Sequence, residues 1–590
     1  MIPLSFGTSA ARLHSPKAGV TPSGLGVVIV PPHGIEALAA AKSLRLLADA
    51  LASAGHAVLR FDLPGTGDSL DHDVPADAVP CWIDAVVDAA GTLQSNSGAT
   101  GVVLAGLRLG ALLAASAAPR VHDLAGLVLL DPVTSGRAYA RELDMTARTL
   151  ADSTGEDPEK VCSAQGVMIG GLLTTRDTLA GLKKLNLTDV SPVVPTLVLH
   201  REGARDIATT MAKWATTTAT AEPATGFEDI RANPTFAVTP HATIARTAAW
   251  VDRLPKRRVL PHTCLLSSDL TGSNFTETSF VFGPDDRLFG VLCRPGRPAA
   301  NNPAMIIMNA GRNPHVGWAR SSVSLARRLA ADGIATLRFD LGGIGDAVDR
   351  PGAADHVDEL LYHDDQDAEL AAAVDFSKSL GLSPTTLLGA CSGAYLALRG
   401  GVQVSGVRNV VLINLQRFVW RADETVSSAL ENNFAVTSSY VRRLADLRAW
   451  RLLLSGERDV GALLTGLFNR AIKSLTSFAV PAETVKAMAL MRALANRKTT
   501  VDFIYSEDDS GLVELAHHFG ARGEKLHHEP NVRFHFVPDS DHNFTPLAAQ
   551  ERVYEVARAA ILTPRDRAAN LAQEARARRA EPAGVMFRTG

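Results

Sequence analysis

The sequence predicts an α/β fold built twice in tandem, each copy a mostly parallel sheet with helices on both faces. Three observations carry that prediction. Short apolar runs alternate with helical stretches, the order that buries a parallel sheet under helices. Two segments share one pattern: VVIVPPHG, a helical stretch and HAVLRFDLPGTGDS near the start, then AMIIMNAGR, a helical stretch and IATLRFDLGGIGDA near the middle. The third is size and composition: 590 residues, 46% hydrophobic and 21% charged, give room for at least two globular domains and exclude a disordered, collagen-like or coiled-coil chain.

The repeat fixes the elements in order. VVIV and MIIM are short apolar runs of the kind found in buried parallel strands. Leu44, Leu47 and Leu51 fall at helical spacing after the first, and Leu325 and Leu329 after the second. Gly55 and Gly333 stop these helices before the next strand. Asp62 corresponds to Asp340 and Gly67 to Gly345, an offset of 278. Farther on, GVVLAGLRLGALLA matches TTLLGACSGAYLAL, with Gly106 on Gly389 and Gly110 on Gly393 at an offset of 283. The runs LAGLVLLD and VRNVVLIN keep that second offset.

Residues 1–260 form the first domain in this reading, closed by the basic, proline-punctuated RLPKRRVLPH. Residues 270–565 form the second, opened by a hairpin in TETSFVFGPDDRLFGVLCRP with a Gly-Pro-Asp-Asp turn. Residues 566–590 are a charged helical or disordered tail with no assigned role.

Charge and cysteine usage bound the partners. Lys plus Arg number 59 and Asp plus Glu 62, a net charge of −3 that gives no electrostatic reason for a nucleic-acid or anionic-membrane partner. No run approaches the length of a bilayer span, and MIPLSFGTSAARLHSPKAG lacks the regions of a secretory signal. Cys81, Cys162, Cys264, Cys293 and Cys391 contain no C-x-x-C pair, so neither a disulfide scaffold nor a zinc site is expected, and a reducing, cytoplasmic setting is. Ala- and Arg-rich, Lys-poor usage points to a bacterium with a GC-rich genome.

The informative chemistry is Gly389-Ala390-Cys391-Ser392-Gly393, a Gly-x-nucleophile-x-Gly turn between a strand and a helix. Its glycines permit a tight turn that projects the central side chain at a helix N-terminus, where dipole and free N–H groups favour a thiolate. Such a nucleophile needs a base and an acid that orients it. TTVDFIYSEDDSG supplies Asp508 and Asp509 after a strand, and NVRFHFVPDSDHNF supplies His542 after the next.

With these pieces the second domain resembles the α/β-hydrolase fold family. The matching segments are the NAG turn, RFDLGGIGD, the GACSG turn, YSEDD and DHNF. Members with Gly-x-Cys-x-Gly include dienelactone hydrolases and polyhydroxyalkanoate synthases. The resemblance implies a catalytic triad of Cys391, Asp509 and His542. It also implies an oxyanion hole from the backbone N–H of Ser392 and of Gly311 or Arg312. Asp509 is preferred to Asp508 because the family's acid sits three residues after the small residue ending the strand, here Ser506. About residues 416–496 would be a helical lid setting substrate choice, with Arg417, Trp420 and Arg421 facing the pocket.

The first domain departs from this pattern. Arg108 stands at the nucleophile position of Gly106-Leu107-Arg108-Leu109-Gly110, and a guanidinium cannot attack a carbonyl. Asp206 and His241 have no secure place in a triad. The GLRLGA segment resembles that of bacterial hydrolases associated with exosortase and exopolysaccharide systems. Arg108 is either an anion-binding group or a buried, paired arginine.

Competing readings stand beside these. Cys391 is alternatively an ordinary buried cysteine, Ser392 an alternative nucleophile, and His542 a surface loop residue. His315 is either a solvated loop residue or part of the substrate site. Asp364, Asp365 and Asp367 suit a helix N-terminus better than a metal. The two GxGD segments lack the Lys and Ser/Thr of a phosphate loop and read as tight turns.

The function expected is acyl transfer from an ester or thioester through an acyl-cysteine, to water or to another acceptor, with no metal or organic cofactor. The substrate is a small-molecule or carrier-bound acyl group, and the first domain is a candidate docking platform for an acyl carrier or pathway protein. The alternative is a non-enzymatic binding or scaffold protein with a vestigial triad.

Overall fold

The computed structural model describes residues 1–71, 74–154, 158–214, 218–227, 234–263, 267–352, 356–383, 385–421, 424–426 and 481–562. It falls into two compact units, Met1–Thr385 and Thr386–Ala560. Cys264, most of the expected lid (427–480) and the tail 566–590 lie outside the described residues.

Ten strands come first in the larger unit: β1 (Ile2–Phe6), β2 (Ser9–His14), β3 (Leu25–Val30), β4 (Ala57–Phe61), β5 (Gly101–Leu107), β6 (Leu124–Leu130), β7 (Gly166–Ile169), β8 (Leu172–Thr175), β9 (Thr196–His200) and β10 (Ala219–Pro223). Eight of them make a sheet in the order β1-β2-β4-β3-β5-β6-β9-β10. β1, β2 and β4 pair antiparallel, and the rest of the sheet is parallel. The VVIV run is apolar throughout because both faces of β3 are covered. Val27 and Ile29 pack with Leu44, Leu47 and Leu51 of helix Ile35–Ser53. Val28 and Val30 pack on the other face with Trp82, Val86 and Leu93 of helix Val79–Ser97. Gly55, at φ 91, reverses the chain into β4 as expected. Between β6 and β9 the antiparallel β7–β8 pair and helix Gly136–Thr154 form an insertion. The sequence reading did not call this insertion out.

The same unit holds β11 (Asp269–Thr271), β12 (Phe275–Phe282), β13 (Leu288–Pro295), β14 (Ala304–Ile307) and β15 (Ala335–Asp340), in the order β11-β12-β13-β15-β14. The expected hairpin is β12–β13, closed by a short turn at Pro284–Asp286. The expected acidic helix start is also present, with Asp365 and Asp367 in the first turn of Asp365–Ser379.

The two GxGD segments adopt one turn twice. The Asp68 N–H donates to Asp62 Oδ2 at 3.0 Å, and the Asp346 N–H to Asp340 Oδ2 at 2.9 Å. Gly67 and Gly345 both sit at φ 51. A Cβ on Gly67 would lie 2.5 Å from Asp62 Oδ2, and one on Gly345 would lie 2.3 Å from Asp340 Oδ2. Only glycine fits, for both conformational and steric reasons.

Beside these turns lies a buried ion cluster. Arg338 is fully buried and donates to Asp68 and Glu277. Arg12 reaches Asp62, Asp68 and Asp346. His315, expected at a substrate site or in solvent, is instead 4% exposed and belongs to this cluster. Its Nδ1 lies 2.8 Å from Asp340 and its Nε2 2.8 Å from Asp68, so both ring nitrogens are committed. Burial opposes its charged form, but Asp68 and Asp340 outweigh that and push its pKa up to about 10. A group whose folded pKa exceeds its unfolded value stabilises fully below the unfolded value and loses that contribution as pH rises through the folded one. Thermal stability is therefore expected to fall between about pH 6.5 and about pH 10 on account of this residue. Melting curves across that range check it, since His315→Gln should flatten the slope.

The smaller unit carries β16 (Thr385–Ala390), β17 (Val407–Ile413), β18 (Thr500–Ser506) and β19 (Val532–Val537), in that order. β17 to β19 pair in parallel. A helix, Ala482–Asn496, precedes β18. Gln416–Arg421 is irregular rather than helical. Its side chains make contacts that include Gln416 on Asp509 and Arg417 on Glu424.

Candidate active site

Cys391 stands where β16 runs into helix Ser392–Gln403, at φ 53 and ψ −116. A non-glycine residue rarely adopts that conformation. It is held by close packing. A Cβ on Gly389 would lie 2.1 Å from Gly393 O, so strand and helix approach too closely for any side chain there. The Cys391 N–H donates to Ile413 O at 3.0 Å. The half-buried side chain projects at the helix N-terminus, with Ser392 as the first helical residue.

His542 and Asp509 come from the loops after β19 and β18. His542 Nδ1 lies 2.6 Å from Asp509 Oδ2. The Asp509 side chain is 2% exposed and that of His542 41%. Desolvation works against the imidazolium, but hydrogen bonding to Asp509 and Cys391, and their charge, hold the His542 pKa well above its ordinary value. Asp508, the other candidate acid, is exposed.

Four residues the sequence reading did not single out complete the support. Gln416 Nε2 donates to Asp509 Oδ1 at 2.7 Å, and the Gly511 N–H donates to the same oxygen at 2.8 Å. Ser510 Oγ in turn donates to Gln416 Oε1 at 2.8 Å. Asn414, fully buried at φ 46, donates to His542 O at 2.9 Å and accepts from the Ser506 N–H at 2.9 Å. It thereby fastens the histidine loop to the end of β18. The repeat contained a signal for Asn414: it matches Asp131 at the offset of 283, at the same strand end. Gln416→Leu should leave Asp509 short of one donor. A hydrogen bond to a charged group is worth about 1.5–3 kcal/mol. The expected result is a kcat roughly tenfold to a hundredfold lower at unchanged KM, read by steady-state kinetics on an activated ester or acyl thioester that the wild type turns over.

The remaining candidates are placed as follows. Arg417 is committed to Glu424 at 2.6 Å and to Gln416 O at 2.8 Å, and Trp420 is half-buried. Gly311 and Arg312 belong to the larger unit. There Gly311 has φ 57, and Arg312 Nη1 donates to Ala237 O at 2.8 Å.

Arg108 repeats the geometry of Cys391 without its chemistry. It stands between β5 and helix Leu109–Ala117 at φ 54 and ψ −117. Its guanidinium, 3% exposed, meets Glu36 at 2.9 Å, Asp131 at 3.5 Å and Glu142 at 2.7 Å. Burial opposes the charge, but Glu36 and Asp131 outweigh it and raise the Arg108 pKa. Of the two sequence readings, the paired structural arginine is the one observed. Asp206 is engaged by Thr134 at 2.7 Å, and His241 opens helix His241–Asp252 at the surface.

Residues 305–556 match the model of the alpha/beta hydrolase family. No curated protein matches the chain. Solved structures similar to it include an α/β serine hydrolase without a lid, XC6422 from Xanthomonas campestris, at 15% identity, covering 44% of this chain and 95% of that one with a TM-score of 0.29. Proline iminopeptidase from Mycobacterium smegmatis is 17% identical, over 42% of this chain and 97% of its own, with a TM-score of 0.29. Est1E from Butyrivibrio proteoclasticus, solved with ferulic acid bound, is 15% identical, over 42% and 98%, with a TM-score of 0.31. Among the described residues no helix is long and apolar enough to cross a membrane.

Proposed function

We propose that the second half of the chain is an acyl-transfer enzyme acting on an ester or thioester through an acyl-cysteine. The observation that carries this reading is the 2.6 Å bond of His542 to buried Asp509, in the same unit as Cys391 on its constrained turn. His542 takes the thiol proton, and its raised proton affinity favours that transfer. Asp509 holds the imidazole in one orientation and stabilises its protonated form. Cys391 Sγ attacks the carbonyl, and the backbone N–H of Ser392 at the helix N-terminus faces the developing oxyanion. Collapse expels the alcohol or thiol, which takes the proton back from His542. Water or another acceptor then releases the acyl group by the reverse sequence. An acyl thioester can pass to nucleophiles other than water, so transfer and hydrolysis share this machinery. Acyl carriers docking on the first half would be one source of substrate.

Intact-mass spectrometry after brief exposure to activated esters and acyl thioesters tests the reading. The expected result is a gain of one acyl group in the wild type and none in Cys391→Ala. Decay of the adduct with and without added alcohols, amines and thiols then separates hydrolase from transferase. An adduct of equal yield in both proteins would overturn the assignment.

A further inference from the structure

Within Met1–Thr385, residues at equivalent positions of the two repeats exchange ion pairs. At the offset of 278, Arg60 matches Arg338 and Asp68 matches Asp346. Arg60 Nη2 donates to Asp346 Oδ1 at 2.7 Å, and Arg338 Nη1 donates to Asp68 Oδ1 at 2.8 Å. At the same offset Lys42 matches Arg320 and Asp71 matches Asp349. Lys42 meets Asp349 at 2.6 Å, and Arg320 meets Asp71 at 3.3 Å. Equivalent backbone groups are used as well: Arg45 donates to Gly345 O at 3.3 Å and Arg320 to Gly67 O at 2.9 Å.

A third exchange is made by unlike residues. Arg12 bridges Asp62 of its own repeat, at 2.8 Å, and Asp346 of the other, at 2.9 Å. His315 bridges Asp340 of its own repeat and Asp68 of the other, both at 2.8 Å. Asp62 and Asp340 are again equivalent. The two repeats therefore deliver a cation to the same pair of carboxylates from different elements, β2 in one and the loop after β14 in the other.

Reciprocity of this kind has one geometric meaning. In a head-to-tail contact, patch i of one body meets patch j of the next, and no return contact forms. Only a twofold arrangement lets i meet j and j meet i together. We propose that the two repeats meet through an isologous interface, the kind that joins the subunits of a homodimer, and that the first repeat is a partner subunit fused to the second. The surface is the strand-end turn R-F-D-L-x-G-x-G-D, and the partner it fits is a second copy of that turn. This gives the first repeat a task that does not need the nucleophile it lacks. It neutralises Arg338 and Asp346, which are 0% and 7% exposed.

The test uses the full chain with residues 264–266 exchanged for a specific protease site. After cutting, size exclusion with light scattering should give one particle of the uncut mass, in 1 M NaCl as well as 0.15 M, because buried pairs are little screened. Two separate particles would overturn the proposal. Association alone does not establish the twofold, so a second measurement uses the uncut chain. Double-mutant cycles on melting temperature are made for Arg60→Met with Asp346→Leu and for Arg338→Met with Asp68→Leu. In both cross-repeat cycles the double variant should lose less than the sum of the two single losses. The within-repeat combinations Arg60 with Asp68, and Arg338 with Asp346, make no direct pair and should couple less than either cross-repeat cycle. Coupling in one cross-repeat cycle only, or in neither, would reject an isologous interface.

Discussion

Cys391→Ala is expected to lower turnover of an activated ester or acyl thioester by a factor on the order of 10⁴ or more. Groups that act as one unit in covalent acyl transfer lose nearly all of their joint contribution when the nucleophile goes, leaving only binding and oxyanion stabilisation. The same logic makes the losses non-additive. His542→Ala alone should be severe, and Cys391→Ala with His542→Ala should be no worse than Cys391→Ala alone. Steady-state kinetics with circular dichroism on each variant checks this. Losses that multiplied in the double variant would mean the two side chains act separately, contrary to the hydrogen bonding that raises the His542 pKa.

Arg108→Met is expected to destabilise the fold by about 3–5 kcal/mol, the usual cost of leaving a buried ion partner uncompensated. The substitution removes one cation from beside Glu36, Asp131 and Glu142, and the side chains of Glu36 and Asp131 are only 9% and 3% exposed. Arg201 remains on Asp131 at 2.9 Å but does not replace the lost contacts to the other two. Arg108→Lys should recover little, because one ammonium cannot span three carboxylates as a planar fork does. Denaturant unfolding compares the variants. A loss below about 1 kcal/mol for Arg108→Met would mean that the three carboxylates are solvated without it.

How much was legible in the sequence follows from what each feature depends on. The parallel strands were readable because burial on both faces of β3 requires an unbroken apolar run, VVIV. The turns were readable because Gly67 and Gly345 have no allowed substitute, so the glycines are spaced by geometry. Asp509 and His542 were readable because each follows a strand whose end they must occupy. His315 was not, since its environment depends on Asp68, 247 residues away, and nothing near it in sequence announces that partner. Gln416 was hidden for a related reason: it lies in a stretch with helical composition, and only the position of Asp509 explains why the chain stays irregular there. The two-domain division at about residue 260 was drawn from the repeat.

The backbone at Arg108 has one more consequence. Its φ and ψ match those of Cys391 within a degree, although an arginine gains nothing from the conformation. A nucleophile can be lost by changing one codon. Relaxing the turn would require Gly106 and Gly110 to change together with the strand they abut, because a Cβ on Gly106 would lie 2.3 Å from Gly110 O and one on Gly110 would lie 2.3 Å from Val30 O. The conformation is thus fixed by the packing of its glycines, whichever side chain stands between them. A scan of proteins for strained backbone at strand-to-helix turns would register this chain twice, and only the identity of the side chain separates the two turns.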